Sequence, residues 1–270
     1  MEIKESTVPR SRSMGRVVIW LGAASLAVMG TVLFFCPAAW LAPVVERQTG
    51  GRFTLGDAQG SIWRGSAFVG AAASSFDPIV PLLPGRFVWR LSPAVLLGVV
   101  DATLENSQVL EQPVQITGSW SRWQISPATL TLPAERLVAL GAPLNTIVPQ
   151  GEMKLSWGVL QLVREGQLLE MTGATQLDLL DIGSRLSPIK PLGTYRLRMD
   201  WQGQKAALEL STLKGPLLLS GTGGLDSGRW RFSGRAQAAP GQEEKLTNLL
   251  NLLGQRRQDG GSQYIALEFK

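Results

Sequence analysis

The chain has 270 residues and a net charge of +5; 44% of it is hydrophobic and only 17% charged. It contains no histidine and a single cysteine, which excludes a Ser-His-Asp triad, a Cys-His dyad, a His-rich zinc site and a disulfide framework. The composition is that of neither a disordered chain nor a coiled coil, and the length is enough to bury a sizeable core.

The first 16 residues carry Lys4, Arg10, Arg12 and Arg16 against Glu2 and Glu5. From Val17 to Val45 there follow 29 residues without a charge, whereas ~20 apolar residues already span a hydrocarbon core. Because the basic flank comes first, the N-terminus should stay in the cytoplasm and the rest should emerge on the far side. Trp20 and Trp40 stand near the two ends, where indole rings prefer the head-group level, and Pro37 should bend or end the helix near Phe35. The rival reading is a cleaved signal peptide, but that would be shorter and would exit through small residues rather than Phe34, Phe35, Pro37 and Trp40. The expected plan is a cytoplasmic tail over 1–16, a transmembrane helix and its exit over 17–43 with Val17, Trp20 and Trp40 marking its ends, and a domain over 44–270. Cys36 falls in or beside the membrane and reads as a small apolar residue.

Next comes Gly60-Ser61-Ile62-Trp63-Arg64-Gly65. Glycines at both ends permit tight turning around a large indole, which predicts a Trp plugged into a sheet where the chain doubles back. The spacing is not that of a phosphate-cradling loop, so Gly60, Ser61, Trp63 and Gly65 are read as structural and no cofactor is expected. Short helical pieces are predicted at Pro93 to Gly98 and Pro133 to Leu140, each opening on proline.

Beyond them apolar and polar residues alternate, the mark of half-buried antiparallel strands. Met153, Leu155 and Trp157 alternate with Glu152, Lys154 and Ser156; Tyr195, Leu197, Met199 and Trp201 with Arg196, Arg198 and Asp200. Trp230 and Phe232 oppose Arg229, Arg231 and Ser233, and Ile265, Leu267 and Phe269 oppose Tyr264, Ala266 and Glu268. Gly203, Gly215-Pro216 and the stretch from Gly221 to Gly228 read as the turns of a meander. A third helix is expected from Gln242 to Leu253, with Leu246, Leu249, Leu250 and Leu253 on one stripe packed on the sheet and Gly254 as its stop. The fold class is thus mainly β: one N-terminal transmembrane helix, then a curved antiparallel meander with a few short helices. An open meander leaves edge strands, and one near the domain's ends is expected to dock a partner strand.

The carboxylates offer little chemistry. Asp178 and Asp181, Glu243 and Glu244, and Asp57 and Asp77 form no alternating metal loop, and no catalytic or metal site is expected, although glycosidase-like carboxylates need not be close in sequence. After residue 45 the basic and acidic counts are 22 and 19, with no basic-aromatic surface for nucleic acid. Nine tryptophans read as core or as the lining of an apolar groove.

Taken in order, the basic tail, the anchor, the Gly60 to Gly65 turn, Gly141-Ala142-Pro143-Leu144 leading to Pro149-Gln150-Gly151, and Leu249-Leu250-Asn251-Leu252-Leu253-Gly254 resemble the type II secretion system protein N family over nearly the whole chain. That resemblance implies a non-enzymatic accessory subunit of the machinery that moves folded proteins from the periplasm through the outer membrane. It further implies an inner-membrane anchor, a periplasmic body and contacts with inner-membrane and periplasmic secretion subunits. The Leu217 to Gly221 and Trp230 to Gly234 segments also resemble the strand repeats of AsmA-type periplasmic proteins, which makes the handling of lipid or another hydrophobic ligand the alternative function.

Overall fold

A computed structural model describes residues 11–71, 80–140, 148–166, 168–226, 228–259 and 262–269. Most of the basic tail and the Gly141-Ala142-Pro143-Leu144 segment lie outside them. The polypeptide begins with helix α1 (Ser11–Phe34), which ends one residue before Phe35 as Pro37 requires. A 3-10 turn (Ala38–Trp40) and a short helix α2 (Leu41–Gln48) follow. The alternation pattern does not announce α2; Pro43 is tolerated because it sits in the first turn, where backbone N–H groups lack helical partners anyway. Every side chain of 17–32 is exposed. Among the described residues no helix is long and apolar enough to cross a membrane.

After α2 the described residues are built on one antiparallel sheet of 17 strands. It starts with the hairpin β1 (Phe53–Gly60) and β2 (Arg64–Ala71) and continues through the two-residue β3 (Val80–Pro81) to β4 (Phe87–Leu91), β5 (Val99–Glu105) and β6 (Val114–Ser119). Strands β7 (Arg122–Ile125) and β8 (Ala128–Pro133) pair in turn with β10 (Leu160–Glu165) and β9 (Pro149–Trp157), so 122–133 and 149–165 run antiparallel with an irregularity between. The long β11 (Leu168–Ser184) pairs along one side with both β10 and β9 and along the other with β12 (Gly193–Gly203). The meander then proceeds through β13 (Lys205–Lys214), β14 (Leu217–Asp226) and β15 (Arg229–Ala238), and closes with β17 (Ser262–Phe269) and β16 (Gln255–Asp259). Among the described residues the strand registers join β1 only to β2 and β16 only to β17, so these two strands stand at the ends of the sheet.

Register fixes which residues share a face. Ala67, Phe87, Leu104, Val114, Ile116, Ile125 and Leu160 follow one another across the first strands. Leu130, Leu155, Leu177, Leu197, Leu210 and Gly221 carry the same face onward. One apolar face therefore runs through the sheet, backed by a polar face that includes Arg64, Arg90, Asp178, Arg196 and Glu209.

The helix α3 (Glu243–Leu253) forms as the leucine stripe predicts and covers part of the apolar face. Leu246 and Leu249 are buried with Leu192, Tyr195 and Leu217. Nearby, the 3-10 turn Ala134–Leu140 closes a second cluster of Leu132, Ala134 and Met153. Between these caps and the far ends of the strands, Leu155, Leu197, Met199, Trp201 and Leu208 are only half-buried.

Two sequence expectations need correction. The stretch Gly221 to Gly228 is not one turn: Gly221, Gly223 and Gly224 lie within β14. A β-carbon on Gly221 would come within 2.5 Å of the Phe232 ring, one on Gly223 would collide with the Arg231 carbonyl oxygen and one on Gly224 would sit 2.6 Å from the Ala206 carbonyl oxygen, so Gly221 makes room for a neighbouring ring and the other two permit close backbone approach. Gly254 does end α3, but in extended backbone; a β-carbon there would sit 2.7 Å from the Ala266 carbonyl oxygen, so close approach to β17 is what requires glycine.

Candidate functional site

The Gly60 to Gly65 segment is the hairpin turn between β1 and β2, and the structure makes it a junction. The Ser61 N–H donates to the Arg64 carbonyl at 2.9 Å and the Arg64 N–H to Ser61 Oγ at 3.2 Å. Gly60 adopts a positive φ of 82°, and a β-carbon on it would collide with the Arg64 carbonyl oxygen. Gly65 faces the Trp89 ring, and a β-carbon there would come within 2.5 Å of it. Trp63 is only 9% exposed, as the plugged indole predicted.

Two further connections leave this turn. The Trp89 Nε1–H donates to the Ile62 carbonyl at 3.1 Å, and the Leu91 N–H donates to the Trp63 carbonyl at 2.7 Å, so β4 holds the turn from one side. From the other side the Ile62 N–H donates to the Cys36 carbonyl at 3.0 Å, and Pro37 and Ser61 form an isolated bridge. Ala38 is fully buried at this contact. The exit of α1 is thus tied by backbone hydrogen bonds to the first hairpin. Alternation marks Phe87, Trp89 and Leu91 as one strand face, but the bond from Trp89 to Ile62 crosses 27 residues of sequence that no local pattern connects.

The expected membrane-end residues separate. Val17 and Trp20 lie on α1 and are exposed, while Trp40, also exposed, belongs to the 3-10 turn after it. Cys36 is partly exposed.

The carboxylates end in ion pairs. Arg196 holds Asp178 in a two-point contact, Nε to Oδ1 at 2.7 Å and Nη2 to Oδ2 at 3.0 Å, and Gln176 donates to the same carboxylate. The Arg196 hydrogen bond holds the Asp178 carboxyl below its ordinary value. Asp181, in an irregularity of β11 at φ 47°, pairs with Lys214 at 2.8 Å. Asp57 pairs with Arg86, and Asp77 lies outside the described residues. Among the described residues no group of three His, Cys, Asp or Glu side chains converges on a metal site.

A groove of about 690 Å³ opens beside the junction, lined by Phe34, Phe35, Trp63, Arg64, Arg90 and Asp101 among others. Arg64 and Arg90 face each other across β2 and β4.

A family model for protein N of the type II secretion system matches residues 51–264, from just before β1 into β17. No curated protein and no solved structure matches the chain.

Proposed function

As the chain belongs to the type II secretion system protein N family, we propose that it is a non-enzymatic subunit of that system, held in the inner membrane by its N-terminal segment with its sheet in the periplasm. The observation that carries the reading is the extent of the family match, which takes in the sheet almost entire. The anchor is supported by the uncharged run from Val17 to Val45 behind a basic tail and by exposure of apolar side chains on every side of α1, a pattern that suits lipid rather than water. Gly60, Ser61, Trp63 and Gly65 act in this reading as a fixture that sets the sheet's orientation to the anchor. Contact with inner-membrane and periplasmic secretion subunits is assigned to the edge of β16 that pairs with no strand among the described residues, where Arg256 and Arg257 would discourage indiscriminate pairing but leave room for a chosen partner strand. Deleting the gene should abolish or sharply reduce release of secreted proteins that first fold in the periplasm, with restoration by the full chain; unchanged secretion would overturn the reading.

The half-buried apolar face supports a second reading, in which the sheet holds a lipid or other hydrophobic ligand as AsmA-type proteins do. Native mass spectrometry of the detergent-extracted chain tests it: a retained lipid that is lost on Leu197→Asp supports it, and bare protein argues against it.

A further inference from the structure

The groove at the helix exit joins three features that the secretion reading leaves unused. Arg64 and Arg90 are adjacent across the β2–β4 register and line it together, and among the described residues neither guanidinium has an ion-pair or hydrogen-bond partner. Phe34 and Phe35, exposed at the end of α1, form its apolar wall. Pro93, which begins the 3-10 turn Pro93–Leu97, forms another part of the rim. That turn carries Leu96 and Leu97 outward, and Leu97 is 87% exposed, more than any other large hydrophobic side chain described. Val99 and Trp120 extend the same apolar knob, since β5 pairs Val99 with Ser119 and the Trp120 Nε1–H donates to the Val95 carbonyl.

We infer that this face of the domain rests on the phospholipid leaflet from which α1 emerges, with Arg64 and Arg90 on a lipid phosphate and Leu96 and Leu97 inserted among the acyl chains. The inference depends on the membrane anchor proposed above. Charge complementarity and the position of Phe34 and Phe35 point to this occupant. Two adjacent guanidiniums present a fork of donors that suits phosphate oxygens. Phe34 and Phe35, at the end of α1, carry apolar surface into the groove, and exposed aromatic and aliphatic side chains beside arginines are the composition of an interfacial contact. Asp101 lines the same groove diagonally from Arg90, so the groove carries one net positive charge. Attraction then comes from close contact with a phosphate rather than from a long-range field.

The test uses the full chain with Cys36→Ser, reconstituted in nanodiscs of phosphatidylethanolamine and phosphatidylglycerol, with single nitroxide labels on Leu26→Cys, Leu97→Cys and Asn248→Cys. Collision with oxygen against collision with a water-soluble nickel chelate reads the depth of each label. The inference predicts that the labels at 26 and 97 both favour oxygen, that the label at 248 on α3 favours the chelate, and that adding Arg64→Ala with Arg90→Ala shifts the label at 97 toward water while leaving that at 26 in place. A membrane-buried label at 26 with a water-exposed label at 97 overturns the inference and leaves the anchor intact. No shift on removing both arginines overturns the phosphate contact, and a water-exposed label at 26 overturns the anchor and the inference with it. Both arginines are exposed, so the variants should keep their fold, which far-UV circular dichroism checks.

Discussion

At its first strands the sheet meets a helix exit through backbone hydrogen bonds, and at its last strands it meets a helix through leucine side chains. The Cys36–Ile62, Trp63–Leu91 and Ile62–Trp89 bonds leave the junction little freedom, and Gly60 and Gly65 have no room for a single added carbon. Leu246 and Leu249, by contrast, sit in an apolar cluster whose members are defined by volume. Contacts of the first kind fix an orientation; contacts of the second kind stabilise a fold while tolerating replacement by residues of like size. Under the proposed anchoring, the first is needed where the chain leaves the membrane, and the second suffices where a helix only has to cover apolar surface.

The strongest way to break this comparison is at the buried indole. Trp63→Ala should cost about 3–5 kcal/mol, the range for losing a large buried aromatic, and denaturant titration of the detergent-solubilised chain would measure it. A loss under about 1 kcal/mol would mean that the turn is not held by packing. Leu246→Ala should cost about 2–5 kcal/mol, because this fully buried side chain leaves a cavity under α3. The contrast sharpens with mild changes: Leu246→Met should stay below about 1.5 kcal/mol, whereas Gly60→Ala combines a left-handed backbone with a backbone collision and should cost about 1–3 kcal/mol or more. Equal tolerance at the two sites would erase the distinction.

Smaller effects probe the polar groups near the C-terminal cap. The buried Tyr195 hydroxyl donates to the Leu217 carbonyl at 3.1 Å, and burial raises its pKa, so the group stays protonated as a donor. Tyr195→Phe should lose about 1 kcal/mol, measurable as a lower unfolding midpoint. The smallest effect concerns Asp178, whose pairing with Arg196 places its folded pKa below the ordinary 3.8. A carboxyl depressed in the folded state adds stability that is full well above pH 3.8 and disappears as the pH falls through the folded value. The partly exposed pair is worth about 0.2–1 kcal/mol; the stability gap between wild type and Asp178→Asn should therefore narrow on acidification rather than widen.

Much of the sheet was legible because its period is two. β9, β12, β15 and β17 appear where alternation places them, and α3 appears where the leucine stripe does. The long β11 was less visible, since Gly173 and the irregularity at Asp181 interrupt its alternation. The glycines of β14 resembled a turn because a sequence does not reveal that a ring and the carbonyls of the neighbouring strands crowd the positions their side chains would fill. At the candidate site, the Gly60 to Gly65 turn and its buried Trp63 were readable from glycine spacing around an indole. Their partners were not, because a carbonyl at Cys36 and an indole N–H at Trp89 meet the turn through tertiary register, and the Arg64–Arg90 pair arises only when β2 and β4 align.

Under the proposed function this chain works as a membrane-anchored subunit of the type II secretion system. The most direct test is photocrosslinking in living cells from an unnatural amino acid placed at Arg256 in the free edge strand β16, followed by identification of the captured protein. The account predicts an inner-membrane or periplasmic secretion subunit, with capture lost when the secretion genes are deleted. Failure to capture any secretion subunit from β16, together with normal secretion in cells lacking the chain, would contradict it.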